Sequence, residues 1–181
     1  PFDLDNRGKR SVALDLRVPA ARAAAQRIVD RADVFVTNMR PDALERIGFD
    51  PETLHARHPR LVYASITGYG RQGADRDRPG YDVGAFWARS GVADTLTVEG
   101  TPPPMIRGGF GDHVTALAAV SGILAALLER ERTGRGRVVQ TSLLRTGMSC
   151  LGWDLNIQLQ FGKLRAPVAR TETETPLMNS Y

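Results

Sequence analysis

Apolar and polar residues along the first part of the chain follow two different periods. The segment 10–16 alternates apolar and polar side chains and is rich in residues that suit a pleated surface, so it predicts a strand. Pro19 then suits the first position of a helix. Apolar residues at helical spacing continue from there and predict a helix over 20–32. The chain therefore opens with a strand followed by a helix.

Two short apolar runs further along are typical of strands buried in a parallel sheet. They cover 33–37 and 61–66, and both are bounded by polar or turn-forming residues. Between them, Pro41 and the sequence Asp50-Pro51-Glu52 each indicate the start of a helix. The order of elements predicts an α/β fold, a Rossmann-like parallel sheet with crossover helices.

The middle of the chain changes in character. Residues 67–80 are dense in glycine, arginine and aspartate and predict a loop, and 92–111 form a second stretch with little periodicity. A short helix is expected between them, over 81–90. Loops of this length in a folded domain are usually functional or mobile.

Long helices are predicted in the last part of the chain. The first runs from Asp112 to Arg132 and should stop at Thr133-Gly134. It is apolar almost all round, so we expect it to be buried, and its apolar run is expected to be too short to cross a bilayer. A strand over 138–141 and a second long helix over 143–161 follow.

Composition and charge narrow the class of protein. The chain has 181 residues, of which 42% are hydrophobic and 24% charged, as in an ordinary globular protein with one core. The net charge of +4 favours an anionic partner. Basic residues alternate with acidic ones rather than forming a stripe with aromatics, so the pattern favours a small phosphorylated ligand over nucleic acid.

Cysteine and histidine counts and the two ends of the chain indicate which sites and targeting segments to expect. Cys150 is the only cysteine and there are three histidines, so an intrachain disulfide is excluded and a metal site is not expected. No secretory signal or membrane span is apparent, which makes the cytoplasm the expected location. The chain begins at Pro1, within a pattern that leads directly to a strand, and residues 171–181 form no closing element, so we expect a fragment of a longer protein.

Gly68-Tyr69-Gly70-Arg71-Gln72-Gly73 has the spacing G-x-G-x-x-G and follows a predicted strand. Dinucleotide-binding loops of this spacing need a helix to begin within the motif, so that its amides meet the pyrophosphate. The residues that follow, 74–80, predict no helix. The motif is better interpreted as a glycine-rich loop.

Asp112 is the most informative carboxylate, because it follows three glycines in four residues and precedes the longest helix. One interpretation is an N-cap, whose side chain accepts hydrogen bonds from amides of the first turn. The other is a nucleophile, kept ionised by the helix N-terminus and open to a substrate because glycines leave room around it. Asn38 has a similar ambiguity, since strand exits in α/β sheets often carry ligand contacts.

Taken together, several collinear segments resemble the class III CoA-transferase family, which includes formyl-CoA and carnitine CoA-transferases and the α-methylacyl-CoA racemase branch. The matching residues are Asn6 to Ser11, Leu14-Asp15-Leu16, Ala32 to Val34, Asn38 to Pro41, Leu44 to Gly48, Ile66 to Gly70, Gly80-Tyr81-Asp82, Gly111-Asp112 and Thr133 to Gly136. The resemblance covers nearly the whole chain, which corresponds to less than half of a family member.

The resemblance implies a CoA-transferase that moves CoA from an acyl-CoA donor to a carboxylic acid acceptor, with Asp112 as covalent nucleophile. Coenzyme A would enter as the acyl-CoA substrate, with no metal. The residues expected at the CoA are Leu14, Arg17, Asn38, Met39, Arg46, Tyr81 and Asp82. Arginine suits a phosphate because its guanidinium donates two parallel hydrogen bonds.

The resemblance also implies an interlocked homodimer, in which 1–111 form part of a Rossmann-like CoA-binding region. Residues 112–181 would form long helices and the start of a linker to a second domain. Two alternatives stay open: a racemase or epimerase, and a noncatalytic CoA-binding fragment. Tyr81 stands where the racemase branch has a histidine, and an ordinary tyrosine is a poor base at neutral pH, so transfer is favoured.

Overall fold

Helices and strands alternate along most of the chain in the computed structural model, which describes residues 2–164, 166–172 and 177. The helices are α1 (Phe2–Asp5), α2 (Pro19–Val29), α3 (Pro41–Ile47), α4 (Pro51–Arg57), α5 (Val92–Thr95), α6 (Phe110–Thr133), α7 (Leu143–Cys150) and α8 (Gly152–Phe161). The strands are β1 (Val34–Thr37), β2 (Val62–Thr67) and β3 (Val138–Ser142), with a π-helix at Asp82–Ala88 and a 3₁₀ turn at Arg170–Glu172.

The three strands form one parallel sheet in the order β1-β2-β3. Val34 of β1 lies opposite Val62 of β2, and Tyr63 of β2 lies opposite Val138 of β3. Parallel neighbours need a crossover connection, which α3 and α4 supply before β2, and the π-helix, α5 and α6 supply before β3. The predicted α/β class with a parallel sheet and crossover helices is confirmed.

The predicted strand at 10–16 is absent from the sheet, and that prediction is wrong. Within the described part of the chain, residues 10–15 carry no regular secondary structure. Val12, Leu14 and Leu16 nevertheless all line the same cavity beside β1. The alternating pattern therefore identified which side chains face apolar surroundings, whereas a strand also needs a backbone hydrogen-bonding partner, which a pattern cannot specify.

A hydrophobic cluster holds α2, α3 and α4 against the sheet. Its buried members are Val29, Leu44, Phe49, Leu54, Leu61 and Tyr63. The Tyr63 side chain is fully buried, and its hydroxyl donates a hydrogen bond to the Phe49 carbonyl oxygen at 3.0 Å. Asp50 caps α4 by accepting a hydrogen bond from the Thr53 amide at 2.8 Å, at the helix start that Asp50-Pro51-Glu52 predicted.

Burial of Tyr63 should make stability pH-dependent in alkali. Desolvation raises the pKa of Tyr63 from 10.0 to about 12, so the unfolded chain releases this proton at a lower pH than the folded protein. The contribution is therefore complete below pH 10 and is lost as the pH rises through 12, with a total of about 3 kcal/mol. Tyr63→Phe should lack this loss, at a cost of about 1 kcal/mol at neutral pH for the missing hydrogen bond.

Denaturant unfolding of the complete protein between pH 9 and 12 measures this difference. Tyr81→Phe is the matched control, because Tyr81 is 84% exposed. Equal alkaline losses in wild type and Tyr63→Phe would contradict the assignment.

The longest helix, α6, is 24 residues long and ends at Thr133, and the next residue, Gly134, closes it with a positive φ of 71°, as predicted. It packs against β2, β3, the π-helix and α7. Its far side is open, and the exposed apolar residues there include Leu117 (69%), Val120 (49%), Leu124 (61%) and Leu128 (62%). The expectation that this helix is buried all round is therefore wrong for the chain described.

By length and composition α6 could also cross a membrane, since an 18-residue window within it has a mean hydropathy of 1.6. The apolar run within α6 was predicted to be too short to cross a bilayer, but the whole helix is long enough. Core helices of globular proteins satisfy the same criterion. The packing of one side of α6 on the sheet is typical of such a helix.

A buried arginine fixes the direction of α6 relative to the sheet. Arg130, near the C-terminus of α6, forms an ion pair with Asp33 at 3.1 Å and donates hydrogen bonds to the Asp33 and Arg60 carbonyl oxygens. Asp33 and Arg60 precede β1 and β2, so the C-terminus of α6 lies at the amino ends of these strands. The N-terminus of α6 consequently lies towards their carboxyl ends.

Two helix predictions need correction. The helix predicted over 143–161 is divided into α7 and α8 by Leu151, whose φ of −95° and ψ of 17° depart from helical values. The helix predicted over 81–90 is a π-helix, a form that often accompanies functional sites. Of residues 171–181, where no closing element was expected, 173–176 and 178–181 lie outside the described residues.

Candidate active site

A cavity of about 950 Å³ lies at the carboxyl ends of β1 and β2. Thr37 and Asn38 line it where β1 ends, and Ile66, Thr67 and Gly68 line it where β2 ends. Open α/β sheets commonly bind ligands at this edge. The cavity is therefore the leading candidate for a ligand site within the described residues.

Asp112 reaches this cavity from the first turn of α6. Among the described residues that line the cavity, it is the only one with a charged side chain. The helix begins at Phe110 and its N-cap is Gly109, so Asp112 is the third residue of the helix. The N-cap interpretation of Asp112 is therefore wrong, and the side chain is available for another role.

The surroundings of Asp112 make its carboxyl group more basic than usual. Desolvation is the largest cause that raises the pKa of Asp112, and the negative charge of Asp82 raises it further. The neighbouring His113 acts in the opposite direction. Asp112 is exposed in the described chain and lies at a helix N-terminus, which favours the ionised form, so desolvation and like charge act against the effect of the helix.

Four of the residues predicted to contact CoA line the same cavity as Asp112. They are Leu14, Asn38, Met39 and Tyr81. Thr37 orients the turn after β1, because its hydroxyl oxygen accepts a hydrogen bond from the Met39 amide at 3.1 Å. The fold thus brings together residues that lie up to about a hundred positions apart in sequence.

The two predicted arginines lie outside the cavity lining. Arg17 is 91% exposed and forms an ion pair with Asp15 at 2.9 Å. The pKa of Asp15 is lowered and that of Arg17 raised by their side-chain hydrogen bonds. Arg46 is 73% exposed on α3 and lies 3.5 Å from Asp42, one turn earlier on the same helix. Both guanidinium groups face solvent, and within the described part of the chain each is paired with an exposed aspartate.

Asp82, also predicted at the CoA, lies under the first turn of α6 and is only 5% exposed. Its Oδ1 atom accepts a hydrogen bond from the Gly111 amide at 3.1 Å. Its Oδ2 atom is buried and has no hydrogen-bonding partner among the described residues. Asp82 therefore contacts the helix that carries Asp112, and its side chain is not part of the cavity lining.

Comparison with known proteins identifies the chain. A family profile described as CoA-transferase family III matches residues 1–181. The chain belongs to CoA-transferase family III. It is 39% identical over 181 residues to cinnamoyl-CoA:phenyllactate CoA-transferase of Clostridium sporogenes, covering 99% of the chain and 44% of the relative. It is 35% identical over 180 residues to (R)-2-hydroxy-4-methylpentanoate CoA-transferase of Clostridioides difficile, covering 99% and 45%.

A solved structure of the family has the same fold. A CAIB/BAIF family protein from Brucella suis matches with a TM-score of 0.84 and 34% identity, over 91% of this chain and 43% of that one. The chain thus spans less than half the length of the relatives it matches.

In this member of CoA-transferase family III, the G-x-G-x-x-G motif brings two loops into close contact. A Cβ atom at Gly68 would lie 2.8 Å from the Gly80 Cα atom, so neither position has room for a side chain. Both glycines line the cavity. Residues 71–80 form no helix, as predicted, and the motif lacks the helix N-terminus that a dinucleotide site requires.

Thr115 of this CoA-transferase family III chain is a cavity residue that the sequence pattern did not indicate. Thr115 lies one turn after Asp112, lines the cavity and is 1% exposed, and its Oγ1 atom has no hydrogen-bonding partner among the described residues. The i, i+3 spacing from Asp112 was the available signal, because such residues share a helix face. Across the described residues, no group of three or more His, Cys, Asp or Glu side chains is placed to hold a metal.

Proposed function

We propose that this chain carries the nucleophile and part of the CoA site of an acyl-CoA:carboxylate CoA-transferase. One observation carries the proposal: Asp112 is the only charged side chain among the described residues that line the cavity at the carboxyl edge of the sheet. Membership of CoA-transferase family III gives this carboxylate a thioester to attack.

In the proposed reaction, the Asp112 carboxylate attacks the carbonyl carbon of the donor thioester, and the C–S bond breaks to release a thiolate. This leaves an acyl-aspartyl anhydride. The Asp112 carbonyl carbon then accepts the thiolate and releases the donor carboxylate, which gives an aspartyl thioester. Attack by the acceptor carboxylate and return of the thiolate complete the exchange and regenerate Asp112. One thioester replaces another, so no ATP is consumed.

The raised pKa of Asp112 supports this role. A more basic carboxylate is a better nucleophile, provided that it remains ionised at the working pH. Apolar lining residues, which include Leu14, Met39 and Leu143, lower the local dielectric and strengthen such effects. The residues that would hold the CoA are Leu14, Asn38, Met39 and Tyr81 in the cavity, with Arg17 and Arg46 towards the phosphates.

Exposure of the two arginines supports their placement at phosphates. Each is paired with a single exposed aspartate, and surface pairs of this kind contribute little free energy. A phosphate group could therefore take over either guanidinium at small cost. The apolar outer face of α6 supports a further element of the proposal, which is that the complete protein buries this face in an interlocked homodimer.

Trapping the covalent intermediate tests the proposed function. The complete protein is incubated with cinnamoyl-CoA, the donor in the name of one relative, and then treated with hydroxylamine. Hydroxylamine should convert the activated Asp112 carboxyl into a hydroxamate, which peptide mass spectrometry detects. If cinnamoyl-CoA gives no reaction, the CoA thioester of 2-hydroxy-4-methylpentanoate is used as the second donor.

Asp112→Asn is the control for this experiment and should give no modified peptide with either donor. Labelling of another carboxylate, or no donor-dependent labelling while CoA transfer is measurable, would contradict the proposal. A noncatalytic CoA-binding role would show binding of CoA without labelling or transfer.

A further inference from the structure

The buried carboxylate of Asp82 lies outside the cavity lining and has no role in the proposed reaction. It opens the π-helix and is 5% exposed, which is unusual for an aspartate without a cation. The ion pairs within the described residues include none to Asp82, and its Oδ2 atom has no hydrogen-bonding partner there. Burying a charge in this way is costly, so a structural cap alone is a poor explanation.

The contact between Asp82 and α6 is made at the residue directly before Asp112. The Gly111 amide belongs to the first turn of α6, where amides have no acceptor within the helix, and it donates to Asp82 Oδ1 at 3.1 Å. A Cβ atom at Gly111 would overlap Asp82 Oδ1 and the Phe86 ring. The absence of a side chain at Gly111 is therefore what allows the π-helix to reach the backbone of α6.

The π-helix is itself fixed from the other side. Ser90 donates a short hydrogen bond to the Phe86 carbonyl oxygen, and Gly147 of α7 lies so close that a Cβ atom there would be 2.8 Å from the same oxygen. Phe86 is 1% exposed and packs against Phe110. Asp82 is thus held on a rigid element between α6 and α7, which is the situation expected of a group that positions another.

We infer that Asp82 is a positioning residue for the Asp112 nucleophile: its buried carboxylate accepts the Gly111 amide and so fixes the first turn of α6, directly before Asp112. This inference rests on the proposed function of Asp112. It assigns Asp82 a role different from the CoA contact that the family resemblance implied.

The charged groups that face Asp112 affect the pKa of its carboxyl group. Asp82 faces it from the π-helix and raises its pKa, whereas His113 lowers it from α6 itself. His113 is in turn 3.4 Å from Asp5 of α1, an exposed carboxylate. The sign of the Asp82 effect is clear, because like charges disfavour ionisation.

The pH dependence of CoA transfer by the complete protein tests how Asp82 affects Asp112. Transfer requires ionised Asp112, so kcat/KM should fall on the acid side as Asp112 is protonated. In Asp82→Asn, the amide oxygen still accepts from Gly111 but the charge is gone, so the acid limb should move to lower pH. In Asp82→Ala the acceptor is also lost, and kcat should fall about 10-fold or more with little change in KM.

His113→Gln is the matched control of opposite sign, and its acid limb should move higher. An Asp82→Asn limb at the wild-type pH would overturn the inference. If Asp82→Asn does not fold, a wild-type limb at or below the ordinary aspartate value near ~3.9 would still overturn the inference, because no raising effect would then be left for the Asp82 charge.

Carboxyl-carbon NMR separates this inference from the proposed function. With ¹³C at the aspartate Cγ atoms, the Asp112 signal is assigned as the one missing from Asp112→Asn, and its titration needs no catalysis. A lower titration midpoint in Asp82→Asn supports the inference even if hydroxylamine trapping fails. Unchanged titration with successful trapping overturns the inference and leaves the proposed function intact.

Discussion

Asp112→Asn in the complete protein is expected to lower the rate of CoA transfer by about 10³-fold or more, the scale on which loss of a covalent nucleophile acts. An amide oxygen cannot form the anhydride with the donor acyl group, and among the described residues no other charged side chain lines the cavity to replace it. Steady-state transfer between a donor thioester and a free acid, followed by chromatography of the CoA products, measures this loss.

The same substitution should not destabilise the fold. Because the pKa of Asp112 is raised in the folded protein, its ionised form is less stable there than in the unfolded chain. Above the ordinary aspartate pKa the charge therefore costs stability, and removing it should leave Tm unchanged or higher at pH 7. Asp77→Asn, a 62% exposed carboxylate paired with Arg76, is the control that should keep full activity. Transfer by Asp112→Asn at the wild-type rate would exclude the covalent mechanism.

Gly136→Ala should give the largest loss of stability among single methyl additions. A Cβ atom at Gly136 would overlap the Leu61 carbonyl oxygen, which belongs to the backbone next to β2 and cannot move aside as a flexible side chain would. The Gly136 amide also donates to the Pro59 carbonyl oxygen at 2.8 Å, so the two segments cannot separate without losing this bond. We expect a loss of about 3 kcal/mol, at the upper end of the range for overpacking.

Differential scanning fluorimetry of the complete protein measures this effect, with an expected fall in Tm of at least about 5 °C. Gly152→Ala is the matched control, since a Cβ atom there meets nothing within 4 Å and Gly152 lies in the first turn of α8. Equal Tm values for the two variants would show that the contact between Gly136 and Leu61 is not rigid.

The exposed face of α6 explains why hydrophobic periodicity misjudged its burial. Residues such as Leu117, Leu124 and Leu128 indicate a helix with apolar surfaces on several sides. A sequence pattern reports that such surfaces exist, but it does not report which chain covers them. Within the described residues one side of α6 meets the sheet and the other meets solvent.

Local structure was largely predictable, because it depends on residues close together in sequence. Pro41 and Pro51 mark helix starts through their fixed φ, and Gly134 ends α6 because glycine adopts a left-handed conformation at little cost. Short apolar runs likewise predict β1, β2 and β3. The α/β class followed from the order of these elements.

Local sequence could not decide the role of Asp112. Its glycine-rich approach and the helix after it were consistent with a cap, which the pattern alone favours, and with a nucleophile. The difference was the helix boundary: α6 begins at Phe110, because the chain there packs on the π-helix through Gly111. That contact joins residues 29 positions apart, and no local propensity encodes it.

The sequence alone determined the parallel α/β class, most element positions and the candidate status of Asp112, because short-range backbone preferences and apolar periods encode them. Only the tertiary structure decided that Asp112 faces a cavity with Asn38 and Tyr81, and that Asp82 lies buried beneath it. The physical reason is distance: burial, desolvation and like-charge repulsion depend on what the fold brings within a few ångströms, whatever the separation along the chain.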